Sequence, residues 1–247
     1  MDFTLAEIKT LNAHERTDDK KGNKVAVFEK RFPLGLGQFQ IPTLGELADL
    51  VRGLNISRQK TVGLYIEIKN PTFHLAEGKD ITKKLTEFLT AKGMPSDDLP
   101  VIIQCFDSRA LRRLRDEFKL TMPMVQLIAE NSWKESDLDY TKMQTPAGLK
   151  EIATYADGIG PYLNQLVSID PKTSKISVND LVKEAHKNKL VVHPYTIRKD
   201  DLPKVIKSID DLHALLFQTI GVDGVFTDFS DLTRKYLQEH KSSQRFK

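Results

Sequence analysis

From about residue 62 to residue 240, short apolar runs alternate with longer amphipathic ones. The short runs are rich in Val and Ile, as buried strands are, and the longer runs space their apolar residues as a helix does. The short runs predict strands at 62–69, 101–106, 124–129, 157–160, 190–196 and 224–229, and the longer runs predict helices at 81–92, 108–118, 146–155, 178–188, 209–219 and 232–239. This order predicts about six βα units and a parallel α/β sheet.

Residues 1–61 have a different pattern, which predicts a helical and loop lead-in. Thr4 with Glu7, and Thr43 with Glu46, have the spacing of capping boxes that open helices. Only 25–28 resembles a strand in this region. We therefore expect residues 1–247 to form one domain, in which 1–61 lead into the βα units of 62–240.

Helix starts are also marked within the βα region. Thr145 precedes Pro146, and proline suits the first helical position. Ser177 and Asp180 have the spacing of an acidic capping box. These residues predict where helices begin and carry no functional signal.

Composition and charge exclude several classes of protein. The chain is 40% hydrophobic and 29% charged, with 37 Lys and Arg against 34 Asp and Glu. The net charge of +3 is small and the basic residues are interleaved with acids, which argues against a nucleic-acid partner. No run approaches the ~20 apolar residues of a membrane span. Cys105 is the only cysteine, so neither an intramolecular disulfide nor a cysteine-based zinc site is expected.

Candidate chemistry lies where predicted parallel strands end, because ligands bind at that edge of such sheets. Glu67 and Lys69 are two residues apart on one strand, so their side chains point to the same side. A carboxylate there can bind a hard cation, and an ammonium can meet a phosphate. The alternative, which the residues leave open, is that the two side chains face solvent or pair with each other.

Further polar residues occupy the other predicted strand ends, namely Gln104, Gln126, Tyr195 and Arg198. By position they are candidates for lining the mouth of a site. A glutamine at a strand end can equally be a structural cap, and this alternative also stays open.

Five motifs in order resemble the glycerophosphodiester phosphodiesterase family, in particular its larger bacterial periplasmic type. Ile41-Pro42-Thr43-Leu44 also matches the family pattern, and the likeness runs over residues 2–237. The motifs are Glu67-Ile68-Lys69, Cys105-Phe106-Asp107, Ala156-Asp157-Gly158-Ile159-Gly160-Pro161, Val192-His193-Pro194-Tyr195-Thr196-Ile197-Arg198 and Val222-Asp223-Gly224-Val225-Phe226-Thr227-Asp228-Phe229.

The resemblance implies a TIM-type (β/α) barrel that hydrolyses glycerophosphodiesters to an alcohol and glycerol 3-phosphate. It implies that Glu67 is one ligand of a divalent cation, calcium or magnesium, and that Lys69 contacts the phosphate. It places Tyr195 in the glycerol pocket. The implied partner is a small glycerophosphodiester.

The sequence departs from the family pattern at the catalytic histidines. The family's first strand ends in His-Arg-Gly, its second supplies Glu-x-Asp, and a His-Asp follows, but none of the six histidines here has such a context. Glu135-Ser136-Asp137 matches Glu-x-Asp by letter only, in a predicted loop. His74 and His193 lie near the expected mouth without occupying a family catalytic position.

We therefore expect a partial barrel that contains family strands three to eight and lacks the first two. The predicted consequence is weak or absent activity of this chain alone. The alternative function is a non-catalytic binding module of the same fold. Met1-Asp2-Phe3-Thr4 does not begin a secretory signal. A periplasmic or secreted location is expected only if a preceding segment carries an export signal.

Overall fold

The structure is a computed structural model and describes residues 2–37, 39–170 and 172–240. The chain divides into two compact units, Met1–Val62 and Gly63–Lys247. This division falls beside the boundary that the sequence predicts between the lead-in and the βα region. In the described part of the chain, none of the helices has both the length and the apolar character needed to cross a membrane.

The described residues of the first unit form two helices and two small antiparallel sheets. Its elements are α1 (Leu5–Lys9), β1 (Asn12–Ala13), β2 (Thr17–Lys20), β3 (Asn23–Ala26), β4 (Phe39–Gln40) and α2 (Leu44–Arg58). Strand β2 pairs with β3, and β1 pairs with β4. The sequence predicted only one strand here, near β3, because these strands are short and carry little apolar alternation.

Both predicted capping boxes of the first unit are confirmed. In the second box the Glu46 amide donates to the Thr43 hydroxyl at 3.2 Å, and the Thr43 amide donates to the Glu46 carboxylate at 2.7 Å. Thr4 and Glu7 make the same reciprocal pair at the start of α1. These bonds satisfy amides that have no partner within the helix.

The second unit alternates strands and helices. Its elements are β5 (Leu64–Ile68), α3 (Pro71–Ala76), α4 (Ile81–Ala91), β6 (Val101–Cys105), α5 (Ser108–Arg112), β7 (Met124–Ile128), α6 (Tyr140–Met143), α7 (Pro146–Ile152), β8 (Gly158–Pro161), β9 (Val167–Ile169), β10 (Ile176–Val178), α8 (Leu181–Lys187), β11 (Val191–Val192), α9 (Ile209–His213) and α10 (Ser230–His240). Helices α5 and α9 continue as π-helical turns.

Five of these strands form one parallel sheet in the order β11–β8–β7–β6–β5. The registers place Glu67 beside Gln104, and Cys105 beside Gln126. Strand β8 approaches its neighbours closely, since a Cβ on Gly158 would lie 2.5 Å from Val191. The sheet strands contribute buried apolar side chains such as Ile103, Met124 and Ile159 to the core of the unit.

The last two predicted strands are less regular than expected. The run predicted at 190–196 is a strand only over β11, because Pro194 has no amide to donate. The run predicted at 224–229 forms no regular strand. It is instead hydrogen-bonded to the segment that follows β11. The Phe226 amide donates to the Pro194 carbonyl at 2.9 Å, and the Ile197 amide donates to the Phe226 carbonyl at 2.8 Å.

The segment between β8 and α8 corrects another prediction. Strands β9 and β10 form an antiparallel hairpin that the sequence analysis missed. Ser177 therefore lies in β10, and the helix predicted from residue 178 begins only after Asp180, whose side chain makes no capping bond. The predicted start at Thr145 is confirmed, since its hydroxyl accepts from the Gly148 amide at 3.1 Å.

The parallel sheet is strongly curved. Tyr65 on β5 contacts residues from the opposite end of the sheet: its hydroxyl lies 3.0 Å from His193 Nδ1, and its ring centroid lies 4.8 Å from that of Phe226. Tyr65 therefore spans the concave face of the sheet. We call this the interior face, and the opposite face, against which the helices pack, the helix face.

Candidate active site

Glu67 and Lys69 lie at the carboxyl end of β5, on the same face as Tyr65 because side chains alternate along a strand. The Lys69 ammonium donates to the Glu67 carboxylate at 2.6 Å. The lysine side chain is 71% exposed and that of the glutamate 23% exposed. The pairing that the sequence left open is thus present. An ion pair of this exposure contributes at most about 1 kcal/mol, so an incoming anion can displace it.

Gln104 stands beside Glu67 on the neighbouring strand, and paired residues of parallel strands share a face. The side chain is buried, and within the described residues its Oε1 atom has no hydrogen-bond partner. A buried carbonyl without a donor costs about 1–3 kcal/mol. The structure thus brings Gln104 together with Glu67 and Lys69. Its Oε1 atom can accept a hydrogen bond from a bound ligand.

Gln126 lies on the helix face instead. Its register partner is Cys105, one residue beyond Gln104. Its amide donates to the Phe106 and Leu127 carbonyls, each at 2.8 Å, and its carbonyl accepts from the Tyr155 hydroxyl at 3.0 Å. Gln126 is fully buried. This placement favours the structural alternative for Gln126 and does not bring the side chain to the mouth of the site.

Tyr195 belongs to a row of aromatic side chains at the strand ends. Its ring lies 5.9 Å from Phe106 and 6.0 Å from Tyr162, and Tyr162 lies 4.9 Å from Trp133. Phe106 follows β6, Trp133 lies in the turn after β7, Tyr162 follows β8 and Tyr195 lies beyond β11. We call these four side chains the aromatic arc. It extends from the Glu67 and Lys69 side of the sheet to its other end.

The sequence analysis missed Phe106, Trp133 and Tyr162 as site residues. Phe106 ends a predicted strand, and Trp133 and Tyr162 follow predicted strands within a few residues. This position is the signal that could have identified them. The strand-end prediction names polar residues and Tyr195, and it contains no other aromatic residue.

Tyr195 itself is held firmly. Its hydroxyl donates to the Ile128 carbonyl at 2.8 Å. Burial raises its pKa, and the nearby negative charges, Glu135 and Glu130 among them, raise it further. The phenol therefore stays protonated, and Tyr195 offers a rigid ring and not an acid or base.

Arg198 pairs with a carboxylate from the neighbouring segment. Its Nε donates to Asp228 Oδ2 at 2.7 Å, and both side chains are about one third exposed. The pair joins the stretch after β11 to the stretch that runs beside it. A contact of Arg198 with phosphate stays a prediction.

Of the two histidines near the expected mouth, His193 is not free to act as an acid or base. His193 is buried and bonded to Tyr65, and burial lowers its pKa, so the ring is neutral at pH 7. His74 lies in α3 with its ring 5.4 Å from that of Phe73. The Glu135-Ser136-Asp137 run lies in the loop before α6, as predicted, and Asp137 pairs with Arg109 at 2.6 Å.

The described residues do not form a complete site for a divalent cation. Among them, no group of three or more His, Cys, Asp or Glu side chains is placed to hold a metal ion. Glu67 offers one carboxylate, already paired with Lys69, and Gln104 offers one further oxygen. Calcium takes about 6–8 oxygen ligands, so these residues alone do not fit the cation that the resemblance implies.

Comparison with known proteins agrees with this architecture. The model of the Glycerophosphoryl diester phosphodiesterase family matches residues 1–232. A glycerophosphodiester phosphodiesterase of Haemophilus influenzae is 36% identical over 96% of this chain and 70% of its own length.

Two solved structures share the fold. A structure described as a glycerophosphoryl diester phosphodiesterase of Silicibacter pomeroyi has a TM-score of 0.65 at 23% identity, over 98% of this chain and 70% of that one. A phosphodiesterase of Oleispira antarctica, solved with the product sn-glycerol-3-phosphate, has a TM-score of 0.53 at 17% identity, over 81% of this chain and 62% of that one. On the family match and the Haemophilus relative, the chain belongs to the glycerophosphoryl diester phosphodiesterase family, whose members are phosphoric diester hydrolases.

Proposed function

We propose that the substrate is a glycerophosphodiester, bound at the carboxyl edge of the parallel sheet and hydrolysed to an alcohol and glycerol 3-phosphate. The observation that carries this proposal is the position of Lys69. Its side chain is exposed at the end of β5, and among the described residues its ammonium pairs with Glu67. The product seen in the Oleispira antarctica phosphodiesterase supports glycerol 3-phosphate as the anion to test.

Different residues contact different parts of the substrate. Lys69 exchanges its weak pair with Glu67 for a stronger charge-assisted bond to a phosphate oxygen. The rigid ring of Tyr195 packs against the glycerol carbons, and Arg198 stays a candidate for a second phosphate contact. Gln104 Oε1 accepts from a glycerol hydroxyl, which satisfies the buried carbonyl.

We also propose that the 247-residue chain alone hydrolyses its substrate slowly. His193 is neutral and bonded to Tyr65, and the cation ligands are incomplete among the described residues. A missing general acid or base typically costs about 10²–10⁴-fold in rate. The chain then binds substrate and product better than it turns substrate over.

Two measurements test the proposal. Calorimetry with sn-glycerol 3-phosphate gives binding, and a coupled assay of its release from glycerophosphocholine gives turnover. Lys69→Ala should weaken product binding about 10–100-fold, since a hydrogen bond to a charged group contributes about 1.5–3 kcal/mol. Lys150→Ala, which removes an exposed lysine from α7, is the matched control and should change nothing.

The possible outcomes are distinct. Binding that depends on Lys69, with slow turnover, supports both parts of the proposal. Binding without any turnover favours the non-catalytic binding module. Product binding that Lys69→Ala leaves unchanged would refute the site itself.

A further inference from the structure

Trp133 and Tyr162 form a partly exposed aromatic pair at the outer part of the aromatic arc. Their rings meet edge to face with centroids 4.9 Å apart, and Trp133 is 43% exposed. Large apolar side chains are mostly buried in this unit, and an indole exposed beside a strand end is a site where a ligand can pack.

Several bonds fix the position of this pair. The Tyr162 amide donates to Gln165 Oε1 at 3.0 Å, and Asn164 donates to the Tyr162 hydroxyl at 3.0 Å. The Trp133 amide donates to the Glu130 carbonyl at 2.9 Å. The pair is therefore held in place by its own turns.

Two carboxylates flank Trp133 in the sequence, and one of them is bonded to the turn of Tyr162. Glu130 lies directly before the turn of Trp133 and accepts from Gln165 Nε2 at 3.1 Å, and Gln165 also bonds the Tyr162 amide. Glu135 follows two residues after Trp133, and both carboxylates help to raise the pKa of Tyr195 in the same arc. Exposed Lys134 offsets part of this charge. Aromatic faces next to carboxylates attract an organic cation, because the ring quadrupole and the charges act together.

We propose that Trp133 and Tyr162 bind the alcohol part of the substrate and select glycerophosphodiesters whose alcohol carries an ammonium group. This inference rests on the proposed function. Lys69 holds the phosphate between the two halves of the substrate, with the glycerol on Tyr195 and the alcohol on Trp133 and Tyr162. Tyr195 has a different task, because its hydroxyl is tied to Ile128 and its ring lies between Phe106 and Tyr162.

Trp133 is the only tryptophan of the chain, so tryptophan fluorescence reports directly on this aromatic pair. The test titrates the intact 247-residue protein with two ligands and follows tryptophan fluorescence. One ligand is glycerophosphocholine. The other is the 3,3-dimethylbutyl ester of glycerol 3-phosphate, which replaces the ammonium nitrogen with carbon and keeps its shape. We expect glycerophosphocholine to bind about 3–10-fold more tightly, as a cation–π contact at a partly exposed site predicts.

Three variants separate the contributions. Tyr162→Leu should remove most of this preference and leave the affinity for the neutral ester within about twofold, while Tyr162→Phe should retain part of it. Lys69→Ala should weaken both ligands alike, because both carry the phosphate. Val178→Ala, an exposed apolar position on β10, is the control and should alter neither affinity. Far-ultraviolet circular dichroism checks that each variant is folded.

The outcomes distinguish this inference from the function on which it rests. Equal affinity for the two ligands, both dependent on Lys69, would overturn the selection by Trp133 and Tyr162 and leave the proposed function standing. A preference for glycerophosphocholine that Tyr162→Leu does not reduce would also overturn it. If neither ligand binds, the proposed function itself fails, and the inference fails with it.

Discussion

Gln104 and Gln126 occupy comparable positions on neighbouring strands, and their surroundings are opposite. Gln104 faces the interior beside Glu67, and its buried carbonyl oxygen has no partner among the described residues. Gln126 faces the helices, and its amide and carbonyl are bonded to backbone carbonyls and to Tyr155. One glutamine is available to a ligand, whereas the other holds the sheet to the helix layer.

The difference arises from a register shift of one residue. Gln104 pairs with Val125, so Gln126 pairs with Cys105 and points to the other side of the sheet. A change of one residue moves a side chain to the opposite face of a strand. Equal residue types at equal strand ends can therefore have unrelated roles.

The largest expected effect comes from breaking the network of the helix face. Gln126→Leu removes the acceptor of the buried Tyr155 hydroxyl and the donor to several backbone carbonyls. Each buried polar group left without a partner costs about 1–3 kcal/mol, so we expect a loss of about 2–4 kcal/mol in the free energy of unfolding. Urea denaturation followed by circular dichroism measures this loss.

Gln104→Leu is the matched variant on the interior face. It removes a carbonyl that has no donor among the described residues, so the free energy of unfolding should change by less than about 1 kcal/mol, and the variant can even be more stable. A large loss for Gln104→Leu, or a small loss for Gln126→Leu, would contradict the assignment of the two faces.

The sequence predicts the elements of this region better than the faces. Periodicity located β5, β6 and β7 within two residues at each end, because their apolar runs are long and bounded by polar segments. The spacing of Glu67 and Lys69 within one strand was sufficient to place them together. The face of Gln126 depends on the stagger between two strands, which no local pattern specifies.

The irregular parts were predicted least well. Trp133 and Tyr162 are far apart in sequence and meet only because β7 and β8 are adjacent. Strand β11 ends early at a proline-containing stretch, although its apolar run continues. Tertiary pairing overrides composition in such segments.

A smaller change, at Tyr155, also tests the hydrogen-bond network of the helix face. Tyr155→Phe removes only the hydroxyl that donates to Gln126, and it leaves Gln126 Oε1 buried without that donor. We expect a loss of about 1–2 kcal/mol in the free energy of unfolding. Tyr162→Phe, at a half-exposed ring, should lose less than about 0.5 kcal/mol. Equal losses in the two variants would show that the hydrogen bond of Tyr155 to Gln126 contributes no more to stability than an exposed hydroxyl does.

The pH dependence of stability that His193 causes tests whether water reaches the interior face. Burial lowers its pKa from the ordinary 6.5, so the folded state keeps the ring neutral where the unfolded state takes up a proton. Stability is then complete above pH 6.5 and falls as the pH decreases from 6.5 towards the folded pKa, by at most about 1.4 kcal/mol per pH unit for one group.

The variant His193→Asn keeps a polar partner for Tyr65 and removes the titration. Its unfolding free energy should depend less on pH between 6.5 and 5 than that of the unaltered chain. Buried His213 also has a lowered pKa and contributes to the dependence that remains. Identical pH profiles of the two proteins would mean that water reaches His193 and that the interior face is not dry.

Calcium should have the smallest effect of all. Glu67 and Gln104 offer two neighbouring oxygens on the interior face, and the described residues hold no larger group of metal ligands. Calcium sites with full ligand sets reach dissociation constants near 10⁻⁴–10⁻³ M even in their weak forms, so we expect this chain to bind calcium more weakly than about 1 mM. Calorimetry of the 247-residue chain, with Glu67→Gln as the comparison, measures this affinity. Micromolar binding that Glu67→Gln abolishes would show that the interior face is already a cation site, and Gln104 would then have calcium and not a glycerol hydroxyl as its partner.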